Sequence, residues 1–406
     1  MEVCVARQPI LDRNRNVYAY ELLYRSSSNV NEFDGTDASV ATTRVVANSL
    51  LVIGLDNVLC GKKAFINLGR AQLVDGFPLM LPKESTVIEV LETVEADAEM
   101  LAACERLREQ GYPIALDDFV GSATNEPLAE LANLIKVDIR ATSKAEQERL
   151  VKTYRPRGKK MLAEKVETYE EFQWTRDLGY DFFQGYFFAR PFILRATEIP
   201  SHKLACLRLL REAQRPDLDF HQLEKLIAED VALSYKLMRY ANSAFFRRSG
   251  DLHSLKQALI RIGEHGARRW ITLAAIPGMA SDKPCELAVL SIVRANFCES
   301  IAKLTGDHDY DAAFLTGLFS LLDALIDRPL GEALAEVKLP SKISDTLLGK
   351  APEQDSLSLI YRLTRVYEEG DWDVVDSCAA QLGISSEAIG EAYLSATRSA
   401  QETLHA

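Results

Sequence analysis

Residues 86–119 read TVIEVLETVEADAEMLAACERLREQGYPIALDDF, and this stretch decides the fold. Its two ends, TVIEVLE and PIALDDF, are apolar runs of strand length. Between them, residues 97–110 carry apolar side chains at i, i+3 and i+4 spacing and stop at Gly111. A strand, an amphipathic helix closed by glycine and a second strand make one crossover unit of a β/α domain.

The alternation extends from about residue 5 to residue 190, with QPILD, KAFINL, NLIKVDI, KMLAEKV and DFFQGYFF as further strands. Residues 169–178 form another crossover helix, ending at Gly179. After Pro200 the strand signal disappears. LACLRLLREAQ, FHQLEKLIAED, ALSYKLMRYANSAFF, SLKQALIRIG and AAFLTGLFSLLDALI all show helical periodicity, so the second half reads as all-α. A chain of 406 residues exceeds what one core normally serves, and two domains are expected, 1–197 and 198–406. Pro191 and Pro200 bracket a linker between them. Internal repeats are not evident.

Apolar residues at 47% and charged residues at 26% are ordinary globular usage, so the chain is expected to fold throughout. No apolar run is long enough for a membrane span, and MEVCVARQPILDRNRN lacks the order of a signal peptide. A soluble cytoplasmic protein is the expectation. The seven cysteines are scattered without zinc-ligand spacing and read as small core residues of a reducing compartment. A net charge of −12 speaks against direct nucleic-acid binding, which needs a basic face. A phosphate-bearing small ligand fits if metal ions offset the acidic field.

The informative feature of the first half is a series of polar residues at strand ends. Glu21, Asn67, Glu89, Asp117, Asp118, Lys136, Asp138, Glu164 and Gln184 all sit in or beside apolar runs. Any one of them alone reads as a helix cap or a solvated loop residue. Five of these acids and an amide, converging on one barrel mouth, would cage a hard divalent cation with oxygen, and Mg²⁺ or Mn²⁺ would suit. The adjacent Asp117 and Asp118 repel each other unless cations or donors separate their charges.

This set resembles the EAL domain, the cyclic di-GMP phosphodiesterase fold. The family's E-x-L-x-R reads Glu21-Leu22-Leu23-Tyr24-Arg25, with Leu22 in place of alanine. Residues 8–10, QPI, resemble its opening strand, Asp117-Asp118-Phe119 its DDF, and Lys136-x-Asp138 its K-x-D. Residues 163–167, AEKVE, resemble A-E-G-V-E, and Gln184-Gly185-Tyr186 with Pro191 resembles Q-G-Y-x-F-x-x-P. The resemblance implies a TIM-like α/β barrel whose first strand is antiparallel. It also implies that Glu21, Asn67, Glu89 and Asp117 hold one metal and that Asp118 and Glu164 help hold a second. Lys136 and Gln184 would then act on the attacking water or the phosphate, and Gln8, Leu23, Arg25 and Asp138 would bind the nucleotide. The implied product is linear pGpG.

Three departures are expected to lower turnover. Residues 120–127, VGSATNEP, replace the glycine- and serine-rich loop of catalytic members, a loop that in the family also supports dimer contact, so a homodimer is within the implication. Lys165 stands where the family has glycine, and its ammonium could compete with a metal. Two intervals, Glu21 to Asn67 and Lys136 to Glu164, are short, which points to trimmed outer helices.

In the second half, LEKLIAEDVALSYKLMRYANSA and the following S-L-x-x-A-L-x-x-I-G resemble the HDOD domain, a helical relative of HD-type metal phosphohydrolases. Where those enzymes carry their His-Asp pair, this chain has Ser320 and Leu321, so this half is expected to be metal-free and non-catalytic. His308-Asp309 reads as a solvated turn, Asn242-Ser243 as a helix end, and Trp270 and Phe246 as core. The two resemblances imply a cyclic di-GMP phosphodiesterase-like barrel with a regulatory or output domain that would meet an unidentified signalling protein. The alternative is a catalytically inactive cyclic di-GMP receptor or protein-interaction adaptor.

Overall fold

The computed structural model describes residues 3–26, 59, 61–91, 94–121, 124–189, 200–243, 252, 254–307 and 309–405. Eight strands close into a barrel in sequence order: β1 (Val3–Asp12), β2 (Val17–Ser26), β3 (Lys63–Leu68), β4 (Thr86–Val90), β5 (Ile114–Leu116), β6 (Leu134–Asp138), β7 (Lys160–Glu164) and β8 (Phe182–Gln184). β1 is antiparallel to both β2 and β8, and every other neighbouring pair is parallel. The antiparallel first strand is as expected. β2, which holds Glu21, pairs with β1 through the tight turn after Asp12, whose carboxylate accepts from the amides of Asn14 and Asn16.

The barrel helices are α1 (Arg70–Val74), α2 (Ala98–Glu109), α3 (Glu126–Leu131), α4 (Lys144–Tyr154) and α5 (Tyr169–Leu178). α2 begins at Asp97, whose side chain accepts from the Met100 amide, and α5 begins in a Thr168/Glu171 capping box. α1 and α3 have only 5 and 6 residues; of the two short intervals, Lys136 to Glu164 keeps an 11-residue helix, α4, and most of Glu21 to Asn67 lies outside the described residues.

From Ser201 onward the described residues are helical: α6 (Ser201–Ala213), α7 (Phe220–Ala228), α8 (Val231–Ala241), α9 (Leu255–Met279), α10 (Cys285–Thr305), α11 (Tyr310–Phe319), α12 (Leu322–Ile326), α13 (Leu330–Val337), α14 (Ser341–Leu347), α15 (Ser356–Glu369), α16 (Trp372–Leu382) and α17 (Ser386–His405). The stretch AAFLTGLFSLLDALI, expected as one helix, is two. It breaks at Ser320, whose hydroxyl turns back to the Gly317 carbonyl at 2.7 Å. α9 is likewise bent at Gly263, which sits at φ 75°. The expected linker around Pro191, the Arg25 side chain, Phe246 and His308 lie outside the described residues. Trp270 is buried, Asn242 caps α8, and Asp309 pairs with Lys342 at 3.1 Å. Cys104, Cys206, Cys298 and Cys378 are buried and Cys285 is exposed. No helix among the described residues is long and apolar enough to cross a membrane.

The two halves share a core. One apolar cluster runs from the outer faces of the strands into α10, α11, α15 and α17. Polar contacts cross the same seam: Tyr20 donates to the buried Glu286 at 2.9 Å, and the Tyr367 hydroxyl donates to the Val5 carbonyl at 3.3 Å. Within the helical half, α10 and α11 approach so closely that a Cβ on Gly317 would lie 2.2 Å from the Arg294 carbonyl oxygen. Backbone cannot yield as a side chain does. We expect Gly317→Ala to cost at least about 1–3 kcal/mol and lower the melting temperature by several degrees in a thermal denaturation scan.

Candidate functional site

Side chains on a strand alternate between faces, so residues two apart share the barrel interior. The floor of the interior is the apolar layer Ile10, Ala19, Phe65, Val87, Ala115, Leu134 and Leu162, with Phe182 packed against it. Moving two residues toward the mouth on each strand reaches Gln8, Glu21, Asn67, Glu89, Asp117, Lys136, Glu164 and Gln184. On β1 the step runs backward because the strand is antiparallel. One polar residue from each of the eight strands or strand ends therefore forms a second layer directly over the apolar one. Five of the eight, Asn67, Glu89, Asp117, Glu164 and Gln184, stand at or beside the C-terminal ends of their strands, the catalytic face of such barrels, and Glu21 and Lys136 lie within theirs.

Lys136 holds this layer together. Its side chain is 1% exposed, and its Nζ lies 2.9 Å from Asp117, 2.9 Å from Glu164 and 3.4 Å from Glu21, with a closer contact to Glu89. Burial alone would depress the lysine, but the charges of Glu164, Glu21, Glu89 and Asp117 outweigh it and raise its pKa well above the ordinary value. One ammonium cannot balance four carboxylates. Burial, reinforced by Glu21, pushes Glu89 well above the carboxylate range, and burial pushes Glu164 up to about 8. Asp117, where Lys136 overcomes burial, is held below it.

The remaining layer is an amide relay. Glu21 accepts from Asn67 Nδ2 at 2.7 Å and from Gln184 Nε2 at 2.6 Å, and the same Gln184 nitrogen donates to Gln8 Oε1 at 3.1 Å. Three buried oxygens of the layer, Oε2 of Glu89, Oε2 of Glu164 and Oε1 of Gln184, receive no hydrogen bond. A hard cation is what such unmet oxygens fit. The tightest group is Asp117, Asp118 and Glu164, with one oxygen from each within 4.8 Å of the others. Asp118 and Lys165 follow directly on the carboxylates Asp117 and Glu164, and both have left-handed backbone, φ 40° and 55°. The chain thus turns sharply after each carboxylate, at about 1–2 kcal/mol per non-glycine residue. That geometry accounts for glycine at the Lys165 position in the resembled family.

Lys165 does not enter the carboxylate group. Its Nζ meets Asp138, whose other oxygen caps the amides of Arg140 and Ala141 at 2.7 and 3.0 Å. Burial would raise Asp138, but this bonding lowers it. The ammonium among the carboxylates is that of Lys136. A cleft of about 800 Å³ opens beside Asp117 and Asp118, walled by Val94, Phe119 and the exposed Val120. In the loop 120–127, Ser122 and Ala123 lie outside the described residues. Leu23 stands at the rim and Arg25 is paired with Cys4 through the backbone register.

Sequence reasoning missed the residues from the other half that reach this rim. Gln8 Nε2 donates to the Glu368 carbonyl at 3.4 Å, and Gly370 abuts Leu23. Gln8 and Glu368 are 360 positions apart, and no local pattern marks either pair.

Glu164 gives the layer a pH signature. Its folded pKa of about 8 lies above its ordinary 4.5, so between those values the unfolded chain has released a proton that the fold retains, and stability falls as pH rises. We expect the melting temperature of the metal-free protein to drop across this window, with a slope of up to about 1.4 kcal/mol per pH unit from this group. Glu164→Gln should flatten that slope; an unmodified protein whose melting temperature is level from about pH 5 to 8 contradicts the reading.

Comparison with known proteins places these features. The EAL domain model matches residues 66–191 and the HDOD domain model matches residues 199–327. The cyclic di-GMP phosphodiesterase CdgJ of Vibrio cholerae is 34% identical over 401 residues, covering 98% of this chain and 92% of CdgJ. YuxH of Bacillus subtilis is 32% identical over 404 residues, 98% of this chain and 97% of YuxH. Among solved structures, the calcium/cy-diGMP complex of Klebsiella pneumoniae BlrP1 matches 47% of this chain and 56% of its own, at 25% identity and a TM-score of 0.39. With both domain models matched in order and full-length relatives above 30% identity, the chain belongs to the family of proteins that join an EAL domain to an HDOD domain.

Proposed function

We propose that this protein hydrolyses cyclic di-GMP to linear pGpG in its barrel, with divalent metal, and that the helical half is a non-catalytic regulatory or output domain. The observation that carries the reading is the buried polar layer, in which Glu89, Glu164 and Gln184 present oxygens that no donor satisfies. A scaffold would have little use for so costly an arrangement. The likeness to CdgJ over nearly the whole of both chains supports the same substrate.

In this reading Glu21, Asn67, Glu89 and Asp117 hold one metal, and Asp118 with Glu164 holds a second, as Mg²⁺ or Mn²⁺. Bound there, such ions would lower the pKa of the attacking water and stabilise the leaving 3′ oxygen. Lys136 and Gln184 orient the water or the phosphate, and Gln8, Leu23, Arg25 and Asp138 hold the nucleotide. Division of labour falls at about residues 197 and 198, and the reaction belongs to the cytoplasm.

A second reading, a receptor that binds cyclic di-GMP without turnover, is favoured by one observation: the Lys136 ammonium already sits among the carboxylates and competes with a cation. The two separate in one experiment. Purified protein is incubated with cyclic di-GMP and Mn²⁺ or Mg²⁺, with and without EDTA, and the products are resolved by chromatography. We expect pGpG only with metal, and Glu89→Ala should weaken Mn²⁺ binding by more than about tenfold in calorimetry. Nucleotide binding without product would establish the receptor, and neither binding nor product would overturn both.

A further inference from the structure

We infer that the turn of residues 368–370, at the end of α15 in the helical half, is a positioning element of the nucleotide site and acts through Gln8 and Leu23 of the barrel. The inference rests on the proposed role of those two residues in holding cyclic di-GMP. Gln8 is gripped at both ends of its amide. Its Nε2 donates to the Glu368 carbonyl at 3.4 Å, and its Oε1 accepts from Gln184, which also bonds Glu21. The helical half thus supplies one end of a hydrogen-bond chain that finishes on a carboxylate of the polar layer. Beside it, Gly370 has φ 74°, and a Cβ there would lie 2.8 Å from Cδ1 of Leu23, so the backbone of the turn fixes how far Leu23 can swing.

The turn itself is anchored. The Glu368 carboxylate takes three contacts from the Arg294 guanidinium, at 2.7, 2.9 and 3.1 Å, and both side chains are buried. A planar fork engaged on two oxygens leaves no freedom to rotate. Arg294 Nη1 also reaches the Ser320 hydroxyl at 3.1 Å, which ties the turn to α10 and α11. The Tyr367 hydroxyl, bonded to the Val5 carbonyl, holds the preceding residue against β1. Any shift of α10 or α11 therefore moves the two groups that face the nucleotide, and nucleotide seated against Gln8 and Leu23 is felt at α15.

The test uses the full chain. In Gly370→Ala the new methyl meets the flexible tip of Leu23 rather than backbone, so it displaces Leu23 while sparing the fold. Gly383→Ala is the control: it has the same left-handed backbone, φ 70°, with nothing within 4 Å of the added carbon. We expect Gly370→Ala to raise KM for cyclic di-GMP about tenfold with kcat changed less than about twofold, and Gly383→Ala to leave KM unchanged. Equal KM in both variants and the unmodified protein overturns the inference, as does an equal rise in both, which would report lost stability alone. Should Gly370→Ala fail to fold, hydrogen exchange of the unmodified protein decides: added cyclic di-GMP should slow exchange at residues 367–372, and no change there overturns the inference. An unmodified protein that neither binds nor hydrolyses cyclic di-GMP instead brings down the functional reading beneath it, a result distinct from either.

Discussion

Everything at the barrel mouth is arranged around one buried ammonium. Without Lys136, Glu21, Glu89, Asp117 and Glu164 would be four carboxylates in a space from which water is largely excluded, and the polar layer would be intolerable. With it, the layer is tolerable and still short of positive charge, so that burial holds Glu89 and Glu164 toward their neutral forms. This incomplete neutralisation gives the site its appetite for cations.

Much of the arrangement was legible in the sequence because strands have period two. Glu89 in TVIEVLE and Glu164 in KMLAEKV were conspicuous as single acids inside apolar runs, and the register puts them where the pattern implied. What the sequence could not convey was distribution of charge. Lys136 and Lys165 are equally plain lysines in the chain, yet one is sealed among carboxylates and the other stands at the rim on Asp138. The difference arises from strand position: Lys136 falls two residues above the floor residue Leu134, whereas Lys165 lies past the end of β7 at left-handed backbone. The division of AAFLTGLFSLLDALI into two helices escaped for a similar reason, since it depends on the Ser320 hydroxyl finding Gly317 and Arg294.

The helical half handles charge in the opposite way. Ser320 accepts from Arg294, and Arg294 is matched in bidentate fashion by Glu368. The Arg294 guanidinium, which keeps its proton, is satisfied by its partner carboxylate. Such pairs add little net stability over apolar packing but strongly disfavour any arrangement that separates them. Among the described residues the barrel thus holds a cluster with excess negative charge, and the helical half a matched guanidinium–carboxylate pair.

The seam between the halves has a consequence for how the molecule behaves as a whole. A single apolar cluster passes from the strands into α10, α11, α15 and α17, so neither half has a finished surface on its own. Cutting at the linker would bare the outer faces of β1 and β2 to water and to other chains. Melting should accordingly proceed as one cooperative step for those elements, whereas α7 and α8, whose buried apolar residues lie only in a second cluster, are free to open first. In evolutionary terms the barrel is not a cassette that can be spliced onto other domains, because part of its wall is encoded some 180 residues downstream of its last strand.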